Sequence, residues 1–359
     1  MTTHPLLNSC LAAMMTITAG TCVAQEKPLA RNSTGGPLVL ADQGSFFVGG
    51  RTVNTEGLAT TPPVDFLKAG EIIVDQMYVQ YMIPAVLSGP PVIMMHGFNH
   101  TGATFETTPD GREGWATYFA RKGFPVYVVD QPGRGRSGFD PTAFNRAKAS
   151  GDASAQPPIP LYPMKDAWVG FRFGKDYPNA HPGTRFPVEA IDAYGKQLVP
   201  NMENTLKLGW DTAAVDLAIL LDRVGPAVVL VHSQAGGMGL GAVKLQPSKA
   251  LAFINVEGNC GPIASEDVER VFTKFPFLAL WGDYSVGAYG PVGDARRNGC
   301  IASVKAIQEK KGLAEFVLLA DHGMPGHTHM MMMDKGNLAI ADFIMAWLKR
   351  TGVTVPHTN

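Results

Sequence analysis

From Pro91 onward the chain sets down short, unbroken apolar runs: "PVIMMH" (91–96), "PVYVVD" (125–130), "AVVLV" (227–231), "LAFINV" (251–256), "FPFLALW" (275–281) and "EFVLLA" (315–320). Runs this short and continuous predict strands buried on both faces of a sheet. Ahead of them, "EIIVDQMYVQYMIP" (71–84) alternates and predicts an antiparallel edge strand. Residues 26–60 are rich in Gly, Thr and Pro, with one strand-like run at 45–48. Helical spacings lie between several runs. Leu217, Leu220, Leu221 and Val224 form one apolar face, and Gly225-Pro226 stops it. Ile340, Phe343, Ile344, Trp347 and Leu348 form another, with Lys349 and Arg350 in the last turn, where cations suit the helix dipole. Strands alternating with helices predict an α/β fold: a mostly parallel central sheet, helices on both faces, and antiparallel N-terminal strands.

One region breaks this rhythm. Residues 139–200 carry seven of the 27 prolines between Pro141 and Pro182, and little periodicity, together with Trp168, Phe171, Phe173 and Tyr177. A long structureless insertion in a compact domain is usually functional, which predicts a lid or cap. Its aromatics could line a pocket or anchor the insertion to the body.

Composition narrows the picture. The 359 residues are 45% hydrophobic and 17% charged, enough for a sizeable core. A formal net charge of −1 argues against nucleic acid or an acidic membrane surface as partner. The N-terminus holds a short apolar stretch, Leu11 to Gly20, then Cys22-Val23-Ala24 before Gln25, which reads as a signal peptide over 1–24 despite lacking Lys or Arg. The mature domain would be 25–359, exported, periplasmic or secreted, and without a membrane span. Cys260 and Cys300 would remain as one potential disulfide pair or as two unlinked buried thiols.

Parallel α/β sheets bind ligands beyond the carboxyl ends of their strands, so the residues following each run carry the candidate chemistry. After 91–96 comes "HGFNHTG", where a tight turn could aim the Phe98 N–H into a site. After 125–130 comes "DQPGRGRSG", which spells G-x-G-x-x-G. A dinucleotide site is rejected: the strand is not the first of its sheet, a Pro-rich stretch follows, and no clear acid ends a second strand. A closely packed turn braced by Arg134 and Arg136 fits better.

After "AVVLV" comes His232-Ser233-Gln234. A serine nucleophile needs a strained strand-to-helix turn flanked by small residues. Ala235, Gly236, Gly237, Gly239 and Gly241 supply them on the helix side, but Val231 does not on the strand side. On this stretch alone, a helix-capping serine is an open alternative. Two strand ends offer an acid. Glu257 directly follows "LAFINV". Asp283 follows "FPFLALWG", where hydrolases often place the acid three after the glycine, a position held here by Ser285. Glu257 is preferred, and Asp283 would shape its loop. The loop 320–334, "ADHGMPGHTHMMMMD", offers His329, His327 and His322 as base, in that order of preference. The same cluster with Asp321 could ligate zinc, though no second ligand group supports that. The Met330–Met333 run reads as soft core packing. Ser233, Glu257, His329 is the chain order of α/β-hydrolases.

With these residues in view, the chain resembles an α/β-hydrolase, and more narrowly a small group of secreted bacterial serine esterases with a glutamate triad acid after the sixth strand. The matching stretches are "GSFFVGGRTV" (44–53), "VDQMYV" (74–79), "TFETTPDGREGW" (104–115), "DQPGRGRSG" (130–138), "HSQ" (232–234) and "HMMMMD" (329–334). The resemblance implies Ser233 as nucleophile, Glu257 as acid, His329 as base, and oxyanion N–H groups from Phe98 and Gln234, with no metal or other cofactor. Some of these relatives carry paired cysteines where this chain has Phe98-Asn99, and the 139–200 insertion has no evident match. The expected substrate is a small-molecule ester or lactone; an amidase would share every catalytic residue, and a homodimer is compatible with the reading. A metal-dependent hydrolase on His322, His327 and His329, or a non-catalytic binding protein, are the distant alternatives. An epoxide hydrolase or haloalkane dehalogenase would need a carboxylate at 233.

Overall fold

The apolar runs pair into one sheet in the computed structural model, which describes residues 36–55, 69–201, 209–287 and 291–355. The chain divides into Met1–Arg31 and Asn32–Asn359. The expected signal peptide lies outside the described residues.

Eight strands are described: β1 (Leu40–Thr55), β2 (Gly70–Pro84), β3 (Val92–Met95), β4 (Val126–Asp130), β5 (Ala227–His232), β6 (Ala250–Val256), β7 (Phe277–Trp281) and β8 (Ala314–Leu318). Their order is β1-β2-β4-β3-β5-β6-β7-β8. β2 runs antiparallel to both β1 and β4, and every pair from β4 to β8 is parallel. This corrects one expectation: β2 is interior, and the edge strand is β1. The cause is visible in β1, where only Val48 is buried and Gly49-Gly50 interrupts the alternation with two left-handed glycines. The run recognisable in sequence covered barely a quarter of the strand.

The unbroken apolar runs follow from two-sided burial. Val228 and Leu230 of β5 face one core with Trp115 and Phe119 of α1 (Trp115–Arg121) and Ile340, Ile344 and Trp347 of the C-terminal helix (Asn337–Arg350). Ala227, Val229 and Val231 face the opposite core. There they meet Leu217 and Leu221 from the helix Gly209–Val224, Met238 and Ala242 from the helix Ala235–Leu245, and Val304 and Ile307 from the helix Pro291–Glu309. Each large apolar side chain so buried contributes roughly 1.5–3 kcal/mol.

The insertion is more helical than its sequence suggests. It holds α2 (Thr142–Ser150), α3 (Met164–Gly170) and α4 (Ile191–Gly195); the four longer helices just described are, in chain order, α5 (Gly209–Val224), α6 (Ala235–Leu245), α7 (Pro291–Glu309) and α8 (Asn337–Arg350). Pro141 and Pro163 sit at the N-caps of α2 and α3, where the missing N–H costs nothing, so they start helices rather than forbid them. Trp168, Phe171 and Phe173 are buried anchors, while Tyr177 is half exposed.

Cys260 and Cys300 form a disulfide that ties the loop after β6 to α7. Beside it, Asn255 of β6 donates to the carbonyl of Gly258 at 2.9 Å. No described helix is long and apolar enough to cross a membrane.

Candidate active site

The chain leaves β3 toward β4 on one side and returns to β5 on the other. The loops leaving β3 and β5 therefore diverge and open a crevice at their carboxyl ends.

Ser233 stands in that crevice. β5 ends at His232 and α6 begins at Ala235, leaving a two-residue turn. Ser233 has φ +56°, a left-handed conformation costing roughly 1–2 kcal/mol for a residue with a Cβ. Backbone bonds hold it there: its N–H donates to Val256 (3.0 Å), and its carbonyl accepts from Gly236 (3.0 Å) and Asn259 (3.3 Å). The capping alternative fails, because the N-cap of α6 is Gln234 and the Ser233 Oγ lies 2.8 Å from His329 Nε2.

Glycines provide the room such a turn demands. A Cβ on Gly97 would stand 2.7 Å from the Ser233 Cβ, and one on Gly236 would stand 2.5 Å from the Asn259 carbonyl. Val231 is accommodated by Gly239, where a Cβ would come within 2.8 Å of Val231 Cγ1 and 2.9 Å of Phe253 Cε2. The space absent on the strand side is supplied one helical turn into α6.

His329 Nδ1 lies 2.9 Å from Glu257 Oε2. Glu257 is itself left-handed, at φ +52°, with its N–H on the Leu280 carbonyl at 2.9 Å. Its Oε1 accepts from the Gly282 N–H at 2.6 Å. The glycine after β7 thus serves the acid after β6. Asp283 faces the histidine loop: its N–H donates to the His327 carbonyl at 2.7 Å, and its carboxylate accepts from the Gly326 N–H. The three candidate histidines separate. His327 pairs with buried Asp334 at 3.2 Å, and exposed His322 packs on the Phe343 ring. Among the described residues no group of three or more His, Cys, Asp or Glu converges as metal ligands do.

Phe98 follows Gly97 in the turn after β3, and among the described residues its N–H has no acceptor. Arg134, fully buried, reaches the Gly97 carbonyl and the Gln234 side-chain oxygen, so it clamps both segments expected to stabilise an oxyanion. That is the work of the G-x-G-x-x-G stretch. Arg136 instead pairs with Asp130 (2.8 Å) and Glu106 (3.5 Å). Asn99, at φ +56°, staples this turn to the insertion: its amide donates to Pro160 and Val199 carbonyls, and its oxygen accepts from the Tyr162 N–H.

No family model matches the sequence. A solved bacterial esterase superposes with a TM-score of 0.82 and 38% identity, over 90% of this chain and 99% of that one. This chain is an α/β-hydrolase. A probable secreted lipase, phiG, of Fungal sp. (strain ATCC 74256) is 28% identical to the hydrolase over 328 residues, 76% of this chain and 86% of the relative.

The electrostatics of the hydrolase's site follow from burial. Glu257 is 2% exposed, which alone would favour its neutral form, but the Arg172 charge and the His329 hydrogen bond hold it down to about 2. His329 lies below the usual imidazole value: burial lowers it, Glu257 opposes, and Arg172 and Arg296 add to the lowering. Burial also keeps His100 and His96 neutral, each pushed to about 3, and His232 well below its ordinary value. His232 Nε2–H donates to the His329 carbonyl at 2.9 Å, which fixes the His329 backbone. Sequence reasoning passed over Arg172, Asn99 and His100, whose side chains reach Glu257, Val199 and Tyr194 across 85, 100 and 94 positions. The only signal for Arg172 was its place between two of the insertion's singled-out aromatics, Phe171 and Phe173.

Proposed function

We propose that Ser233, His329 and Glu257 are the nucleophile, base and acid of this carboxylic ester hydrolase. The observation that carries the reading is the Ser233–His329–Glu257 chain of hydrogen bonds, 2.8 and 2.9 Å, ending on a serine held at φ +56°. The Ser233 hydroxyl donates to His329 Nε2, and His329 Nδ1–H donates to the ionised Glu257. Ser233 Oγ attacks the ester carbonyl as its proton passes to His329. Glu257 stabilises the imidazolium without taking its proton. The N–H groups of Phe98 and Gln234 receive the oxyanion, each worth roughly 3 kcal/mol. The proton on His329 then goes to the departing alkoxide. Water, deprotonated by His329, attacks the acyl-enzyme and releases the acid.

The substrate is a small-molecule ester. Lactones and amides would meet the same groups, so the scissile bond is set by the walls of the site, in which the insertion 139–200 acts as lid. Export of the mature domain 25–359 is supported by the secreted relative and the N-terminal pattern. Ser233→Ala should abolish hydrolysis of a small chromogenic ester, with near-ultraviolet circular dichroism unchanged. Retained turnover would end the assignment. A panel of matched ester, lactone and amide substrates fixes the class.

A further inference from the structure

Arg172 reaches the active site from the insertion, two residues past the end of α3. It is 4% exposed and left-handed, at φ +62°. Its guanidinium donates through Nη2 to Glu257 Oε2, the oxygen that also meets His329 Nδ1. Its Nε is buried and, among the described residues, has no hydrogen-bond partner. A strained backbone and an unused buried donor are both unfavourable for folding. The residue is therefore placed for its contact with Glu257 rather than for the insertion's own packing.

The insertion is stitched to the same loops. The His329 N–H donates to the Phe171 carbonyl at 3.2 Å, and the rings of Phe171 and His329 stack 5.7 Å apart. The Arg185 N–H donates to Gly326 at 2.8 Å and its carbonyl accepts from the Lys335 N–H at 2.8 Å. Tyr284, after β7, stacks on His181 at 4.2 Å and donates to the Pro182 carbonyl at 2.9 Å.

We propose that Arg172 is a positioning residue that fixes the Glu257 carboxylate, ionised, against His329, so that the triad is competent only while the insertion is seated. This rests on the assignment of Ser233, His329 and Glu257 above. A buried carboxylate left with only the His329 imidazole and the Gly282 N–H as partners would be pushed by burial toward its neutral form, and a protonated Glu257 could not stabilise the imidazolium. His329 is faced by Ser233, Glu257, Arg172, His232, His100 and Arg296; Arg172 is faced by Glu257 and His181. His232 and His100 are neutral, so the charges acting on His329 are those of Glu257, Arg172 and Arg296.

The test compares kcat and KM against pH for the wild type, Arg172→Gln and Arg172→Lys. Losing the positive charge makes the first proton added to the Glu257–His329 pair more favourable, whichever of the two carries it, because that charge lowers both groups. The acid limb of kcat/KM should therefore move to higher pH in Arg172→Gln. Its kcat should fall about 10- to 100-fold, the usual range for losing an orienting partner, with KM within about threefold. Arg172→Lys should return the limb to its wild-type position and recover most of kcat. Wild-type kcat and limb position in a folded Arg172→Gln would overturn the proposal. So would losses that track the folded fraction in both variants with the limb unmoved. Should Arg172→Gln not fold, carboxyl carbon shifts of Glu257 in the wild-type protein decide. They should show no titration down to about pH 3, given a value of about 2, whereas a midpoint above the ordinary glutamate range would overturn the proposal. Activity retained in Ser233→Ala would instead overturn the triad, a separate failure.

Discussion

The fit between Val231 and Gly239 makes a quantitative claim about the turn that carries Ser233. Gly239→Ala would place a methyl 2.8 Å from Val231 Cγ1 and 2.9 Å from Phe253 Cε2, both fully buried. Carbon atoms prefer 3.5–4.0 Å, and forcing a methyl into a packed core costs about 1–3 kcal/mol. Helix propensity returns about 1 kcal/mol when alanine replaces glycine. The net is a loss of about 1 kcal/mol. Val231→Ala alone leaves a cavity and should cost about 2 kcal/mol. In the double variant the new methyl fills part of that cavity, so the loss should fall short of the sum by about 1–2 kcal/mol. Urea unfolding of the four proteins measures this coupling directly. Activity should fall in Gly239→Ala and recover in the pair, since α6 sets the position of Ser233. Additive losses, or a Gly239→Ala protein more stable than the wild type, would refute the reasoning.

Glu257→Gln should lower kcat roughly 10³- to 10⁴-fold while Asp283→Asn changes it less than about tenfold, because Glu257 meets His329 and Asp283 meets the 326–327 backbone; the reverse ranking in ester turnover would reassign the acid. Replacing Cys260 and Cys300 together by alanine opens a loop spanning 40 residues and should cost about 4 kcal/mol by loop entropy, read as a fall in the unfolding midpoint. Asp216, buried against Gly49, is pushed up to about 7 by burial and then by the charge of Asp75. An acid whose folded value lies above its unfolded value stabilises below about pH 4 and loses that contribution as pH rises toward 7. Asp216→Asn should therefore gain on the order of a few kcal/mol at neutral pH and nothing at pH 4. Ester turnover in the wild type should rise with pH through a midpoint below 6.5, the ordinary imidazole value, and stay flat through neutrality, because His329 must be neutral to act and is lowered by burial.

The core strands were legible because burial on both faces leaves an unbroken apolar signature, as in "AVVLV" and "LAFINV". β1 was not, because an edge strand with one buried residue carries no period to read. The proposed site is legible where it depends on a residue directly following a strand: Ser233 after β5, Glu257 after β6, and a histidine in the loop after β8. What escaped depends on contacts across long separations. Arg172 meets Glu257 across 85 positions, and Asn99 joins the β3 turn to Val199 across 100. Neither pairing has a local spacing that could announce it. The insertion is harder to read for a different reason: dense prolines erase periodicity, yet Pro141 and Pro163 occupy helix starts.

The most direct measurement is active-site labelling with a fluorophosphonate, mapped by mass spectrometry. One phosphonyl group should attach to Ser233, hydrolysis should stop in proportion, and His329→Ala should react far more slowly. A protein that turns over esters while Ser233 stays unlabelled, or that carries the label on another residue, would contradict the account.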